Sequence, residues 1–296
     1  MIEWREELEQ HTKEADEAVR KYLPQETGYQ KLLIEASNYS ILVGGKRLRP
    51  MILLESFRAF GGKGEVAEPF MAALEMIHSG SLVHDDLPCM DNDEYRRGMP
   101  TTWKKYGYDM AVLAGDKLFI YAFETASKAF GLTEHANRIG KAISILANKS
   151  GIYGMIGGQS VDVEYTDRPV SIEQLKFIYE LKTAALLEAA MMIGAVLAGA
   201  DDEKVNAAEQ IAHYVGMAFQ IRDDILDVVS TTEQLGKPVK SDEKNNKTTY
   251  VTVYGIDGAA KLVEEYSQKA MKLLQQVCPD ADYLKRLFEY LIIREK

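Results

Sequence analysis

The stretch Ala189 to Ala200, AAMMIGAVLAGA, is apolar around the whole circumference of a helix. It falls short of the roughly 20 residues that a bilayer span needs, so it reads as a helix enclosed by other helices. Working outward, apolar residues recur at helical spacing almost everywhere, as in Leu32, Leu33, Ala36 and Tyr39, then Met51, Leu54 and Phe57. Strand-like alternation is scarce. The run Thr248 to Tyr254 (TTYVTVY) has β propensity but no partner, and is expected to be helical. Gly44-Gly45, Gly61-Gly62, Gly98 to Pro100, Gly157-Gly158 and Gly236 to Pro238 divide the helical runs and are expected to mark helix ends. The expectation is an all-α chain forming one domain over residues 1–296, with central helices around a deep pocket and outer helices covering them.

The 296 residues include 45 acidic and 35 basic side chains, a net charge of −10. No long basic run offsets this, which argues against a nucleic-acid partner. Part of the acidity lies in two compact aspartate clusters, for which divalent cations are the natural counter-charge. Two cysteines, Cys89 and Cys278, lie far apart and offer neither a disulfide framework nor a zinc site. The opening MIEWREELEQ lacks the basic-then-apolar order of a secretion signal, so a cytoplasmic protein without a membrane span is expected.

The first cluster is His84-Asp85-Asp86-Leu87-Pro88-Cys89-Met90-Asp91-Asn92-Asp93. Pro88 should end the preceding helix and let Asp91 and Asp93 fold back beside Asp85. Carboxylates crowded in this way repel unless a hard cation joins them, and Mg²⁺ takes one or two carboxylates together with phosphate oxygens and water. The second cluster, Asp223-Asp224-Ile225-Leu226-Asp227, puts Asp223 and Asp227 on one helix face. Either cluster alone could be a solvated helix end; two, each preceded by an apolar run, make that explanation work twice. Basic residues supply the complement: Lys46, Arg47 and Arg49, the pair Arg96-Arg97, then Lys182, Lys237 and Lys247. Arg forks suit phosphate oxygens and Lys supplies mobile charge.

In order along the chain, GGKRLRP, LVHDDLPCMDNDEYRRG, GGQSVDVE, LKTAAL, FQIRDDILD and GKPVKSDEKNNKTTY resemble the trans-isoprenyl diphosphate synthase family from about Tyr39 to Tyr250. Pro88 and Cys89, which expand the first aspartate motif, bring it nearest to bacterial farnesyl and geranylgeranyl diphosphate synthases. The resemblance implies the isoprenoid synthase fold and a homodimer. It also implies that Asp85, Asp86 and Asp91 bind Mg²⁺ on one wall and Asp223, Asp224 and Asp227 on the other, with three ions per site. The allylic diphosphate would lie between, gripped by Arg96, Lys182, Lys237 and Lys247. Gly45, Lys46, Arg49, His78 and Arg97 would hold isopentenyl diphosphate, and Thr183 and Gln220 would line the reacting centre. His78 taken alone would be an ordinary packed histidine; its place seven residues before Asp85, on the same face, singles it out. Two departures from the family pattern, Lys240 for a common Gly and Tyr95 for a common Leu, bear on loop closure.

The implied reaction is ionisation of an allylic diphosphate, attack by isopentenyl diphosphate and loss of a proton. It needs fixed positive charge around the leaving group and a dry apolar chamber, which residues near Met76, Met191 and Met217 could line. Farnesyl-forming relatives commonly carry an aromatic residue five positions before the first Asp. Here that residue is Gly80, followed by Ser81, so the product pocket is expected to extend to Met76 and Ile77 and to favour a farnesyl or longer, geranylgeranyl, product. A terpene cyclase would need no second diphosphate pocket, and Lys46, Arg49 and Arg97 argue against it. A catalytically silent partner subunit is disfavoured by two intact aspartate clusters. A nucleotide P-loop at Gly44-Gly45-Lys46 lacks both the spaced glycine and the Ser/Thr.

Overall fold

A computed structural model describes residues 2–166, 168–229 and 248–293. In chain order the elements begin with α1 (Ile2–Lys21), α2 (Lys31–Leu42), α3 (Leu48–Ala59) and α4 (Glu68–Asp85). A hairpin of β1 (Tyr95–Arg96) and β2 (Met99–Pro100) precedes α5 (Thr102–Tyr106) and α6 (Tyr108–Ser127). A 3₁₀ turn (Lys128–Gly131) leads to α7 (Ala136–Ser150), α8 (Met155–Glu164) and α9 (Ile172–Ile178). A π-helical turn (Tyr179–Ala184) joins α9 to α10 (Ala185–Ala198), and α11 (Asp202–Val229), α12 (Tyr250–Val277) and α13 (Asp282–Ile293) complete the chain. The fold is all-α, as the helical periodicity requires; among the described residues the two-residue hairpin is the only sheet.

Contacts gather the chain into two compact units, Met1–Ser144 with Val196–Ala198, and Ile145–Ala195 with Gly199–Lys296. In the first, α4 is the central element. Phe70, Met71, Leu74, Met76 and Ile77 are all fully buried, so the helix is covered on most of its circumference. One acid interrupts this apolar run: Glu75 is buried and accepts from Arg47 Nη1 at 2.7 Å. Arg47 also donates to Asp16 of α1 at 2.8 Å and to the Ile41 carbonyl at 2.6 Å. A buried guanidinium with all its partners in place ties α1, α2 and α4 together.

Helices α4 and α6 approach closely where small residues face them. A Cβ on Gly115 would fall 2.1 Å from His84 Nε2, so the imidazole rests directly on that glycine, its Nε2 3.0 Å from the Val112 carbonyl oxygen. A Cβ on Gly80 would meet Leu118 Cβ at 3.2 Å, the Gly115 carbonyl at 3.3 Å and Phe119 Cε1 at 3.4 Å. Gly80 therefore serves the helix contact, and the space expected beneath it is taken by α6. Met76 faces the same way, its sulfur accepting from Thr125 Oγ1 at 3.7 Å. Gly80→Tyr is accordingly expected to lower stability by about 1–3 kcal/mol or more through overpacking, read as a fall in the thermal midpoint. A variant as stable as the wild type that makes a shorter product would restore the pocket reading.

In the second unit, Ile178, Met217, Ile221, Ile225, Val251, Val263 and Ile292 form one core cluster. Helix α9 begins with a capping box: Ser171 Oγ accepts from the Gln174 amide and Gln174 Oε1 from the Ser171 amide. Thr249 and Thr252 cap α12 in the same manner, so the β-rich run is helical from Tyr250, with a break at Gly255 (φ 70°). Gly157-Gly158 lie inside α8, not at a helix end as expected, because close packing rather than chain reversal calls for them there. Gly236 to Pro238 lie outside the described residues. The continuous helical run Ile172–Ala198 is long and apolar enough to cross a membrane, but 72% of its apolar window is buried within the protein, as in a core helix.

Candidate active site

The first aspartate cluster starts on the last turn of α4. Asp85 ends the helix and Asp86 is its C-cap; the Asp91 amide then donates to the Asp85 carbonyl at 2.8 Å and the Asn92 amide to the Leu87 carbonyl at 3.1 Å. The loop thus folds back on the helix end as the Pro88 argument expects. The Asp93 carbonyl anchors its far side by accepting from Thr101 Oγ1 and Trp103 Nε1, each at 2.8 Å. The following hairpin turns at Arg97 (φ 54°) and Gly98 (φ 75°), two left-handed residues as a two-residue hairpin prefers.

That turn sends the paired arginines to different places. Arg96 grips Asp86 through both carboxylate oxygens, with Nε at 2.8 and 3.0 Å and Nη2 at 2.6 Å. Burial raises the Asp86 carboxyl; Arg96 pulls it down, and Asp93 and Asp91 add to the rise. Asp86 and Arg96, expected on metal and on diphosphate respectively, are bound to each other here. Arg97 instead donates to the Gly44 carbonyl and lies across Gly45, where a Cβ would come within 2.7 Å of its guanidinium.

Beside Arg97 lies a cluster of basic groups. Burial lowers Arg49, pushed down to about 10, with Glu75 opposing and Arg97 adding to the shift; its Nε is buried with no hydrogen-bond partner. His78 is held well below the ordinary value of 6.5 by burial first, then by Arg49, Arg97, Arg96 and Arg47. The structure thus brings together Gly45, Arg49, His78 and Arg97, with a neutral imidazole among guanidinium groups. Lys46 is exposed. Such a cluster is arranged for an anion with several oxygens. Because the folded pKa of His78 is depressed, its contribution to stability is intact above about pH 6.5. It is lost as the pH falls below that value, where the unfolded chain binds the proton first. His78→Gln is expected to flatten the fall of the thermal midpoint between pH 6.5 and 5; an unchanged slope would show that His78 does not titrate this way.

In the second unit, Asp223 and Asp227 do share a face of α11, but Asp224 turns inward. It is 3% exposed, its two oxygens accept from the Tyr179 hydroxyl at 2.9 and 2.8 Å, and Oδ2 accepts from the Tyr250 amide at 3.0 Å. Asp224 thus joins α11, the π-turn and α12; Asp227 is buried as well, 5% exposed. The π-turn presents Lys182 and Thr183, which bond Asp162 at 2.5 Å and Gln220 Oε1 at 2.9 Å. The turn is pressed from both sides: a Cβ on Gly158 would lie 2.3 Å from the Lys182 amide nitrogen, and one on Gly216 would lie 2.5 Å from Ala184 Cβ. Lys237, Lys247 and Lys240 lie outside the described residues.

Tyr179, Asp162 and Glu75 were not anticipated. A lone acid within the apolar run of α4 was a signal for a buried cation; Tyr179 carried none. Among the described residues no three acidic, histidine or cysteine side chains form a ready metal cage. Magnesium needs none when phosphate oxygens and water complete its shell, and within each unit the aspartate cluster supplies the hard oxygens it prefers.

The family model described as polyprenyl synthetase matches residues 30–291. The chain belongs to the polyprenyl synthetase family. It is 37% identical over 288 residues to the farnesyl diphosphate synthase of Geobacillus stearothermophilus, covering 97% of each. It is 42% identical over 266 residues to a chloroplastic geranylgeranyl pyrophosphate synthase of Catharanthus roseus, covering 88% of this chain and 73% of that one. A geranyltransferase of Helicobacter pylori, solved in complex with magnesium and isoprenyl diphosphate, matches with a TM-score of 0.83 at 32% identity, covering 96% of this chain and 95% of that one. This polyprenyl synthetase is a prenyltransferase of the short-chain trans class.

Proposed function

We propose that the protein condenses isopentenyl diphosphate with an allylic diphosphate, dimethylallyl, geranyl or farnesyl, to make farnesyl or geranylgeranyl diphosphate with magnesium. The supporting observation is the set of basic groups Arg49, Arg97 and neutral His78 in addition to the Arg96 that grips Asp86 of the carboxylate loop. That provides for two diphosphates, where a cyclase needs one. The two units act as one catalytic domain, and the enzyme works as a cytoplasmic homodimer.

Three magnesium ions held by Asp85, Asp86, Asp91, Asp223, Asp224 and Asp227 would supply charge against the departing diphosphate. Arg96, Lys182, Lys237 and Lys247 bind that diphosphate, and Arg96 exchanges Asp86 for phosphate oxygens as it does so. The allylic C–O bond breaks with its electron pair leaving on oxygen. The double bond of isopentenyl diphosphate, oriented by Gly45, Lys46, Arg49, His78 and Arg97, attacks the cation, and a proton passes to the departing diphosphate. Thr183 and Gln220, hydrogen-bonded to each other, direct fixed dipoles at the cation. Neutral His78 donates a hydrogen bond without adding charge. Product length depends on the α4 positions Met76, Ile77, Gly80 and Ser81, of which Ser81 is half-exposed.

Incubation with isopentenyl diphosphate and each allylic diphosphate, with Mg²⁺ or EDTA, tests this. Magnesium-dependent elongation to a fifteen- or twenty-carbon chain is expected. Ionisation of the allylic substrate without elongation would point to the cyclase reading, and binding without turnover to a silent subunit.

A further inference from the structure

The π-turn carries Lys182 and Thr183, and a π-turn persists only where its surroundings over-determine it. Three of its pins belong to residues already placed: Tyr179 on Asp224, Lys182 on Asp162 and Thr183 on Gln220. A fourth belongs to none of the motifs. His213 of α11 puts Nδ1 3.1 Å from Glu188 Oε1 of α10 and Nε2 3.6 Å from Glu180 Oε1 within the turn. Glu180 is also 3.5 Å from Lys176. On the other side, Lys149 of α7 bonds Glu188, and Glu209 of α11 at 2.5 Å. Burial alone would raise the Glu188 carboxyl, but His213 and Lys149 bring it below the usual range. His213 is seven residues before Gln220 and fourteen before Asp227. At helical spacing it heads the same α11 face that carries Gly216, Gln220 and Asp223.

We infer that His213 is a positioning residue for the allylic diphosphate: by bridging Glu188 to Glu180 it fixes the π-turn and so the placement of Lys182. The inference rests on the prenyl-transfer reading, and its first test, a binding measurement, needs no turnover. The imidazole meets no substrate in this account. Its effect is transmitted through one turn of backbone from Glu180 to Lys182, so it should be graded and specific to one substrate.

The test compares His213→Gln, Glu180→Gln and the double variant with the wild type. Calorimetry reads the Kd of a non-ionisable allylic thiolodiphosphate in Mg²⁺, and steady-state kinetics reads the two KM values. Each single variant is expected to weaken the allylic ligand about fivefold or more while the KM for isopentenyl diphosphate changes less than twofold. The double variant, whose two amides can bond each other, should be weakened no further than the worse single one, since contacting pairs are non-additive. Unchanged affinity, additive losses, or equal weakening for both substrates would overturn the inference. If the wild type binds the thiolodiphosphate but makes no longer product, the functional reading fails and the binding comparison still decides the role of His213. The isopentenyl KM, or its Kd in that case, also reports whether each variant is folded.

Discussion

Asp85→Asn is expected to lower kcat by about a thousandfold, which corresponds to about 4 kcal/mol of lost transition-state stabilisation. Asp85 is half-exposed at the end of α4, and the loop that brings Asp91 back to it is closed by a backbone bond that the substitution leaves intact. Asparagine keeps the shape and removes the charge needed to hold a cation against a departing diphosphate. Its neighbour Asp86 cannot compensate at once, being gripped by Arg96. The Mg²⁺ concentration for half-maximal rate should rise. Steady-state rates across a magnesium series would read both effects. A variant within tenfold of the wild-type kcat would remove Asp85 from the metal-binding role.

The second large effect is expected at Gly158. A Cβ there would lie 2.3 Å from the Lys182 amide nitrogen and 2.9 Å from the Leu181 carbonyl carbon, backbone atoms that cannot rotate aside. Gly158→Ala must therefore displace α8 or the π-turn. About 1–3 kcal/mol of stability should be lost to overpacking, and a shift of about 1 Å in Lys182 and Thr183 should cost about a hundredfold in kcat/KM. Gly140 in α7 is the control, since a Cβ there meets nothing within 4 Å. Gly140→Ala is expected to be neutral or to stabilise by up to about 1 kcal/mol through helix propensity. Indistinguishable thermal midpoints and rates for the two alanine variants would show that the α8 contact does not position the turn.

The fold was legible in the sequence because helical periodicity is a local signal repeated along nearly the whole chain. The fold-back of the first aspartate loop was legible for a similar reason: Pro88 limits the backbone whatever surrounds it. The hydrogen bonds of Asp224 were not legible because spacing places a residue on a helix face but does not say which face is inward; the Tyr179 hydroxyl and Tyr250 amide that bond it come from elements distant in sequence. The packing against Gly80 was not legible for the same reason. A missing side chain suggests space, and only the position of α6 shows that the space is filled. The role of His213 had no sequence signal, since its two glutamate partners lie 25 and 33 residues away.

The cluster of Arg49, Arg97 and His78 also bears on how the enzyme survives between turnovers. Burial has brought Arg49 down to about 10 and its Nε has no hydrogen-bond partner, so the folded protein holds a guanidinium that a bound anion would satisfy. On the proposed function, a diphosphate bound there would serve as a structural counter-ion as well as a reactant. A ligand at a hundred times its Kd adds about 2.7 kcal/mol to folding stability. Heat resistance and protease resistance should therefore follow the supply of isopentenyl diphosphate, so that the enzyme lasts longest when there is substrate to use and is cleared soonest when there is none.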